Sequence, residues 1–385
     1  MSRLNSPLIC ALAVALVFSV FIFGRLRLAA YDFSSFVTAG DVYCDPSKVP
    51  PGLTVLRNSA GFDGQFYYRL ALNPFTSRAN DFGITIDHPP LRHQRILYPL
   101  LTWMLSLGNP SRVPLVMVLI NFLGLVAMGW IGGHYAQVLK QHALWGIFLP
   151  LYPGFMLTLS RDLVEILEIT LLLASLLLLR RARTWMATAL LCLAVLTKET
   201  SVLVAVAALL FYVYRRWKNT GSEELRWYYF AAPMIVYAAW QLTLFYIWGT
   251  FPLRASGEAN LGIPLVAPAA FAWNALRTLQ RPNIIEAIFL AGFCVAVLVC
   301  LRATMASALE ILVTVLFAVL ALSLGHVVWT EDWTFLRAAS QFCVFGTIVV
   351  LGAKAKSRSL SRPFVFALSG LFWLYLFARL MRHYS

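Results

Sequence analysis

The chain has 385 residues, 60% of them hydrophobic and only 12% charged, with a mean hydropathy of +0.74. A soluble domain is usually about a quarter charged, so this composition excludes an ordinary soluble enzyme and points to lipid as the solvent. The formal net charge of +14 does not indicate nucleic acid, because the basic runs at 180–183, 215–218 and 354–358 each fill a short gap between apolar stretches, the pattern of cytoplasmic loops.

In chain order, the first apolar run is Pro7 to Gly24. It has spanning length and no A-x-A-like cleavage site after it, so it reads as a transmembrane helix with its N-terminus inside. It delivers residues 25–95 to the outer face as a long loop rich in Pro, Gly and Asp. Within that loop, 61–72 reads as a short interfacial amphipathic helix with Asp63 as its cap and Asn73-Pro74 as its stop. Ile96 to Leu107 is too short to span. The next spans are expected at about 112–131, 144–159 and 163–179, the last two joined by an outer hairpin at Ser160-Arg161-Asp162.

Residues 185–214 have basic runs at both ends, which places both ends in the cytoplasm and requires an even number of crossings. Two short helices meeting at Thr197-Lys198-Glu199-Thr200 satisfy this, and they put Lys198 and Glu199 near the outer surface. Further spans at about 228–248, 284–301, 304–324, 338–352 and 363–379 bring the total to about eleven. The expected fold is all-α and polytopic, one integral membrane domain over 1–385. Five of the six cysteines lie in apolar segments and only Cys44 in the long loop, so no disulfide framework or metal cluster is implied. His88 and His93 read as ordinary loop residues.

This topology gathers the polar side chains that membranes normally exclude on the outer face: Asp32, Asp63, Asp87, Arg95, Arg161, Asp162, Glu165, Glu168, Lys198, Glu199, Glu331, Asp332 and Arg337. Such groups persist in membranes where they line a cavity, pair or carry function. Asp162, Glu165 and Glu168 fall within an arc of about 120° if they share one helix. For Asp63 the structural alternative is simple capping. Its neighbours favour chemistry: Gly64 leaves space beside the carboxylate, and Gln65, Tyr67 and Tyr68 offer hydrogen bonds and stacking faces for a polyhydroxyl ligand. Burial against these aromatics would raise its pKa towards that of a working base. Asp32, in Tyr31-Asp32-Phe33, is the competing carboxylate. Arg337 opens a helix on the outer side, where charge bias alone would not place it, and an anionic partner is the natural reason.

The run Gly61-Phe62-Asp63-Gly64-Gln65-Phe66-Tyr67-Tyr68, then Gln94-Arg95-Ile96-Leu97-Tyr98-Pro99 and Leu196-Thr197-Lys198-Glu199-Thr200, resembles a bacterial branch of the membrane glycosyltransferases with the GT-C fold. The resemblance covers nearly the whole chain through its large first outer loop and paired short helices. It implies an inverting enzyme that takes a sugar from a polyprenyl-phosphate donor to a glycan, lipid or protein acceptor, on the extracytoplasmic face of the inner (plasma) membrane. An outer-loop Asp would act as general base, with Asp162 and Glu165 as further catalytic carboxylates. Gln65, Tyr67, Tyr68, Arg95, Arg161, Lys198, Glu199, Glu331 and Arg337 would bind substrate. Some members hold a divalent metal in a D-x-D motif; none occurs here, which favours catalysis without cofactor or metal. The competing readings are a lipid-linked sugar flippase or small-solute transporter, and a glycan polymerase or ligase.

Overall fold

In the computed structural model, described here for residues 5–219, 225–252, 260–330 and 334–383, the chain is mostly helical (71%) with almost no sheet. Six helices are long and apolar enough to cross a membrane, which makes this a membrane protein. They include α1 (Pro7–Leu28), α5 (Val113–Val138), α9 (Val202–Trp217, with the turn before it) and α10 (Tyr228–Trp248). Between α1 and α5 the long loop carries α2 (Gly64–Leu72), α3 (Pro89–His93) and α4 (Leu97–Ser106), beside two pairs of two-residue strands. Then follow α6 (Gly154–Ser160), α7 (Glu165–Arg180) and α8 (Thr184–Thr197). The last third contains α11 (Val266–Arg277), α12 (Arg281–Leu301), α13 (Ala308–Leu322), α14 (His326–Thr330), α15 (Thr334–Ala338), α16 (Ser340–Leu351) and α17 (Ala355–His383).

Local chemistry explains several boundaries. Ser6 caps α1, its side chain accepting from the Leu8 N–H, and Pro7 opens the helix where its missing N–H is harmless. α13 begins with a reciprocal capping box between Ser307 and Glu310. The helix expected over 144–159 does not form as one piece. A 3-10 turn at Ala143–Phe148 is followed by the short α6, because Pro150 and Pro153 each remove a donor and crowd the preceding turn. Gly146 also packs backbone to backbone on Gly132 of α5, so closely that a side chain on either would overlap the other.

The break between α8 and α9 lies where the sequence places it. Lys198 is extended (φ −156°, ψ 136°) and a 3-10 turn, Glu199–Ser201, leads into α9. Arg180 at the end of α7 and Arg215 at the end of α9 line the same cavity. The chain therefore leaves and regains one end of the molecule between them, as an even number of passes requires. The other end gathers the start of α7, the α8–α9 break, the long loop and Arg337 of α15, as their direct contacts establish.

Candidate functional site

The long loop is a folded structure. Asp32 caps the 3-10 turn Phe33–Phe36, accepting from the Ser34 N–H and hydroxyl, and it also accepts from the Thr54 hydroxyl. Its carboxylate thus fastens the loop to itself. Gln65, expected to meet ligand, is buried: Oε1 accepts from the Gly40 N–H and the Cys44 thiol, and Nε2 donates to the Ala60 carbonyl. Tyr68 is likewise buried, with its hydroxyl nearest the Pro110 carbonyl. Neither presents a free polar group to a sugar. Gly64 leaves no room for one either. A Cβ there would lie 2.3 Å from the Arg161 carbonyl oxygen and 2.7 Å from that of Val37, so the missing side chain admits protein backbone. Arg161 holds the same segment from the side, its guanidinium 3.6 Å from the Phe62 ring centroid.

This packing carries Asp63 into an array of alternating charge. Asp63 precedes α2 with helical torsions and makes no side-chain cap, which corrects the capping expectation. Its Oδ2 instead meets Arg92 Nη1 at 3.0 Å and Arg337 Nη1 at 2.9 Å. Arg92 is oriented by Asp87 through a two-pronged pair, Nε to Oδ1 at 2.8 Å and Nη2 to Oδ2 at 2.7 Å, and its guanidinium lies over the Phe66 ring. Arg337 continues to Glu165, with Nε 3.6 Å from Oε1. Lys198 Nζ stands 3.2 Å from the same Glu165 oxygen and 3.9 Å from Glu168. Glu165 Oε2 is buried without a hydrogen-bond partner among the described residues.

Two branches complete the array. Arg95 grips Glu199 with both prongs, at 3.0 and 2.6 Å, and donates to the Tyr67 hydroxyl at 2.9 Å. Glu168 accepts from the Thr200 and Ser201 hydroxyls and from Gln341 Nε2. The short α15 that presents Arg337 is tied down by Tyr152, whose hydroxyl donates to the Leu336 carbonyl.

The electrostatics follow from this geometry. Burial alone would raise the Asp63 carboxyl, but the charges of Arg92 and Arg337, the Arg337 hydrogen bond and the Arg95 charge outweigh it and hold the group far below the usual carboxylate range. That overturns the expected upward shift, which considered only the aromatic neighbours. Burial lowers the guanidinium pKa values of Arg92, Arg95 and Arg337, but their carboxylate partners more than restore them, so all three stay charged. Burial drives the Tyr67 phenol upward, against the Arg95 charge. In all, Asp87, Asp63, Glu165, Glu168 and Glu199 face Arg92, Arg337, Lys198 and Arg95, five acids against four bases.

Of the residues singled out from sequence, Asp63, Tyr67, Asp87, Arg95, Glu165, Glu168, Lys198, Glu199 and Arg337 come together here. Asp162 does not share a helix face with the two glutamates. It precedes α7 in a left-handed turn (φ 48°), buried, with both carboxylate oxygens lacking a hydrogen-bond partner among the described residues. Burial pushes its pKa well up, and its electrostatic neighbours are Arg25 and Asn121, outside the array. Glu331 and Asp332 lie outside the described residues. Sequence reasoning missed the roles of Arg92, Thr200, Ser201, Gln341 and Tyr152. Gln341 had a signal: a lone amide in the otherwise apolar α16. Among the described residues no three His, Cys, Asp or Glu side chains are grouped as ligands for an ion. No protein-family model matches the chain, and no curated protein is significantly similar to it.

Proposed function

We propose that the chain is an inverting, polyprenyl-phosphate-sugar-dependent glycosyltransferase of the GT-C type. It would cross an inner membrane about eleven times, with its N-terminus in the cytoplasm and the charged array on the extracytoplasmic face. The observation that carries this reading is Asp63 held between Arg92 and Arg337, beside Glu165 and Lys198, at one end of a helical membrane protein. Carboxylate and guanidinium groups packed so closely suit a reaction in which a hydroxyl loses a proton while a phosphate gains charge.

Asp63 takes the proton of the acceptor hydroxyl, and the oxygen bonds to the anomeric carbon from the face opposite the phosphate. The bond from that carbon to the phosphate oxygen breaks, and its electron pair leaves on the lipid phosphate, held by Arg337 and Lys198. In the unliganded array Asp63 is a poor base because two cations hold its proton affinity down. A phosphate that engages Arg337 weakens that hold and restores basicity when donor is present.

The test uses purified protein, a panel of polyprenyl-phosphate sugars and an acceptor mixture, with release of lipid phosphate as the readout. Release that depends on Asp63 supports the proposal. Inert donors together with movement of a sugar lipid across vesicles would replace it with the flippase reading.

A further inference from the structure

Within the array, Glu199 gives both carboxylate oxygens to Arg95, and Asp87 gives both to Arg92. Glu168 accepts from Thr200 and Ser201 on Oε1 and from Gln341 on Oε2. Glu165 differs. Lys198 and Arg337 both approach its Oε1, at 3.2 and 3.6 Å, while Oε2 has no hydrogen-bond partner among the described residues. Its side chain is 2% exposed, against 19% for Asp63, so bulk water reaches Asp63 but not this oxygen. A buried carboxylate oxygen destabilises its surroundings until a donor hydrogen meets it. The two cations at Oε1 are also those assigned to the departing phosphate, so whatever meets Oε2 lies beside the leaving group.

We infer, resting on the glycosyltransferase reading, that Oε2 accepts a hydrogen bond from the substituent on carbon 2 of the donor sugar. The enzyme therefore takes sugars with a hydroxyl or amide hydrogen at that position and refuses 2-deoxy sugars. Connectivity selects this group. With the phosphate at Arg337 and Lys198, the anomeric carbon is one bond beyond the bridging oxygen, and it has two ring neighbours. The ring oxygen carries no hydrogen and cannot donate to a carboxylate, which leaves the substituent on carbon 2. Reactivity agrees. Positive charge develops at the anomeric carbon as the phosphate leaves, and a hydrogen bond from the 2-hydroxyl strengthens in that transition state. Asp63 takes the acceptor's proton; Glu165 exchanges none and reads the donor.

The test measures release of lipid phosphate by the purified full chain, with the best-used polyprenyl-phosphate sugar of the panel and with its 2-deoxy counterpart. Wild type should use the 2-deoxy donor about a hundredfold less efficiently in kcat/KM, because a site built around a substrate's donor group rejects the analogue that lacks it. Removing the electron-withdrawing substituent makes the anomeric carbon more reactive by itself, so slower transfer comes from the protein. In Glu165→Gln the cations turn the amide oxygen towards themselves and leave the NH2 where Oε2 stood. This variant should slow the complete donor far more than the 2-deoxy donor and bring their ratio towards one. Asp63→Asn should slow both donors alike and keep the ratio. Equal use of the two donors by wild type would mean that water serves Oε2, and it would overturn the inference while the glycosyltransferase reading stands. That comparison needs no variant, so it decides even if Glu165→Gln does not fold. An unchanged ratio in folded Glu165→Gln would also overturn it. A panel in which every donor is inert would instead remove the glycosyltransferase reading, and the inference with it.

Discussion

Arg337 and Asp63 are 274 positions apart in sequence, and their side chains meet at 2.9 Å. The same Asp63 oxygen also takes Arg92, so one carboxylate joins the long first loop to the last third of the chain. The pairing is partly buried, and breaking a pair costs more where the remaining charge has no second partner. Here most members have one: Arg92 retains Asp87, and Arg337 retains Glu165. Single substitutions should therefore alter chemistry more than folding.

Asp63→Asn should reduce turnover by about 10²–10⁴-fold, the usual worth of general-base assistance, with the protein still folded and inserted. Asp32→Asn is the matched control. Asn caps nearly as well as Asp, so turnover should stay close to normal. A live Asp63→Asn beside a dead Asp32→Asn, measured on folded protein, would move the base to Asp32.

Arg337→Ala and Lys198→Ala should each weaken use of the lipid donor, seen as a raised donor KM or a lowered donor kcat/KM of about tenfold or more. Acceptor KM should change little. Unchanged donor kinetics in both variants would remove the phosphate-binding role from this pair.

His93 gives a pH prediction away from the array. Nε2 donates to the Pro74 carbonyl at 2.9 Å, and Nδ1 accepts from the Trp248 indole at 3.1 Å, so the ring is neutral. Burial is the main cause that lowers its pKa, to about 4. Between about 6.5 and 4 the unfolded chain binds a proton that the folded chain does not, so stability falls as pH drops through that window and then levels off. The contribution is about 3 kcal/mol at most. His93→Gln should be less stable at neutral pH and should flatten the slope of thermal midpoint against pH over this window. An unaltered slope would assign the dependence elsewhere.

Gly64→Ala places a methyl group against two backbone carbonyls that cannot move independently. It should lower stability by about 1–3 kcal/mol and cut activity further than stability alone explains, because α2 and Asp63 must shift. Midpoint and turnover measured on one preparation would separate the two effects.

Turnover should survive EDTA followed by dialysis. The array's carboxylates already face guanidinium, ammonium or hydroxyl donors. Complete loss with recovery on adding magnesium or manganese would place an ion among them after all.

Much of this arrangement is readable from the sequence because a membrane makes polar residues conspicuous. Glu168 and Lys198 stand out against apolar neighbours, and the need for an even number of passes between two basic runs locates the break at Lys198. The roles inside the loop are less readable. Gln65 looks like a ligand contact until Gly40 and Ala60 are seen to occupy its amide. Nothing local to Asp63 says that two guanidinium groups approach it, one from 274 positions away, so its pKa was expected to move in the wrong direction. Apolar character alone suggests a continuous helix over 144–159, and that reading gives no weight to Pro150 and Pro153, where the structure breaks it.

The partners of Glu168 arrive in a particular order during synthesis. The carboxylate is made with α7, before Thr200 and Ser201 exist to donate to it, and Gln341 follows 173 positions later. Until then an acid sits in a half-built bundle with part of its hydrogen bonding unmet, a state a proton relieves more cheaply than exposure to lipid does. A chain ending before α16 would therefore lack the Gln341 donor to Glu168 while keeping those of Thr200 and Ser201.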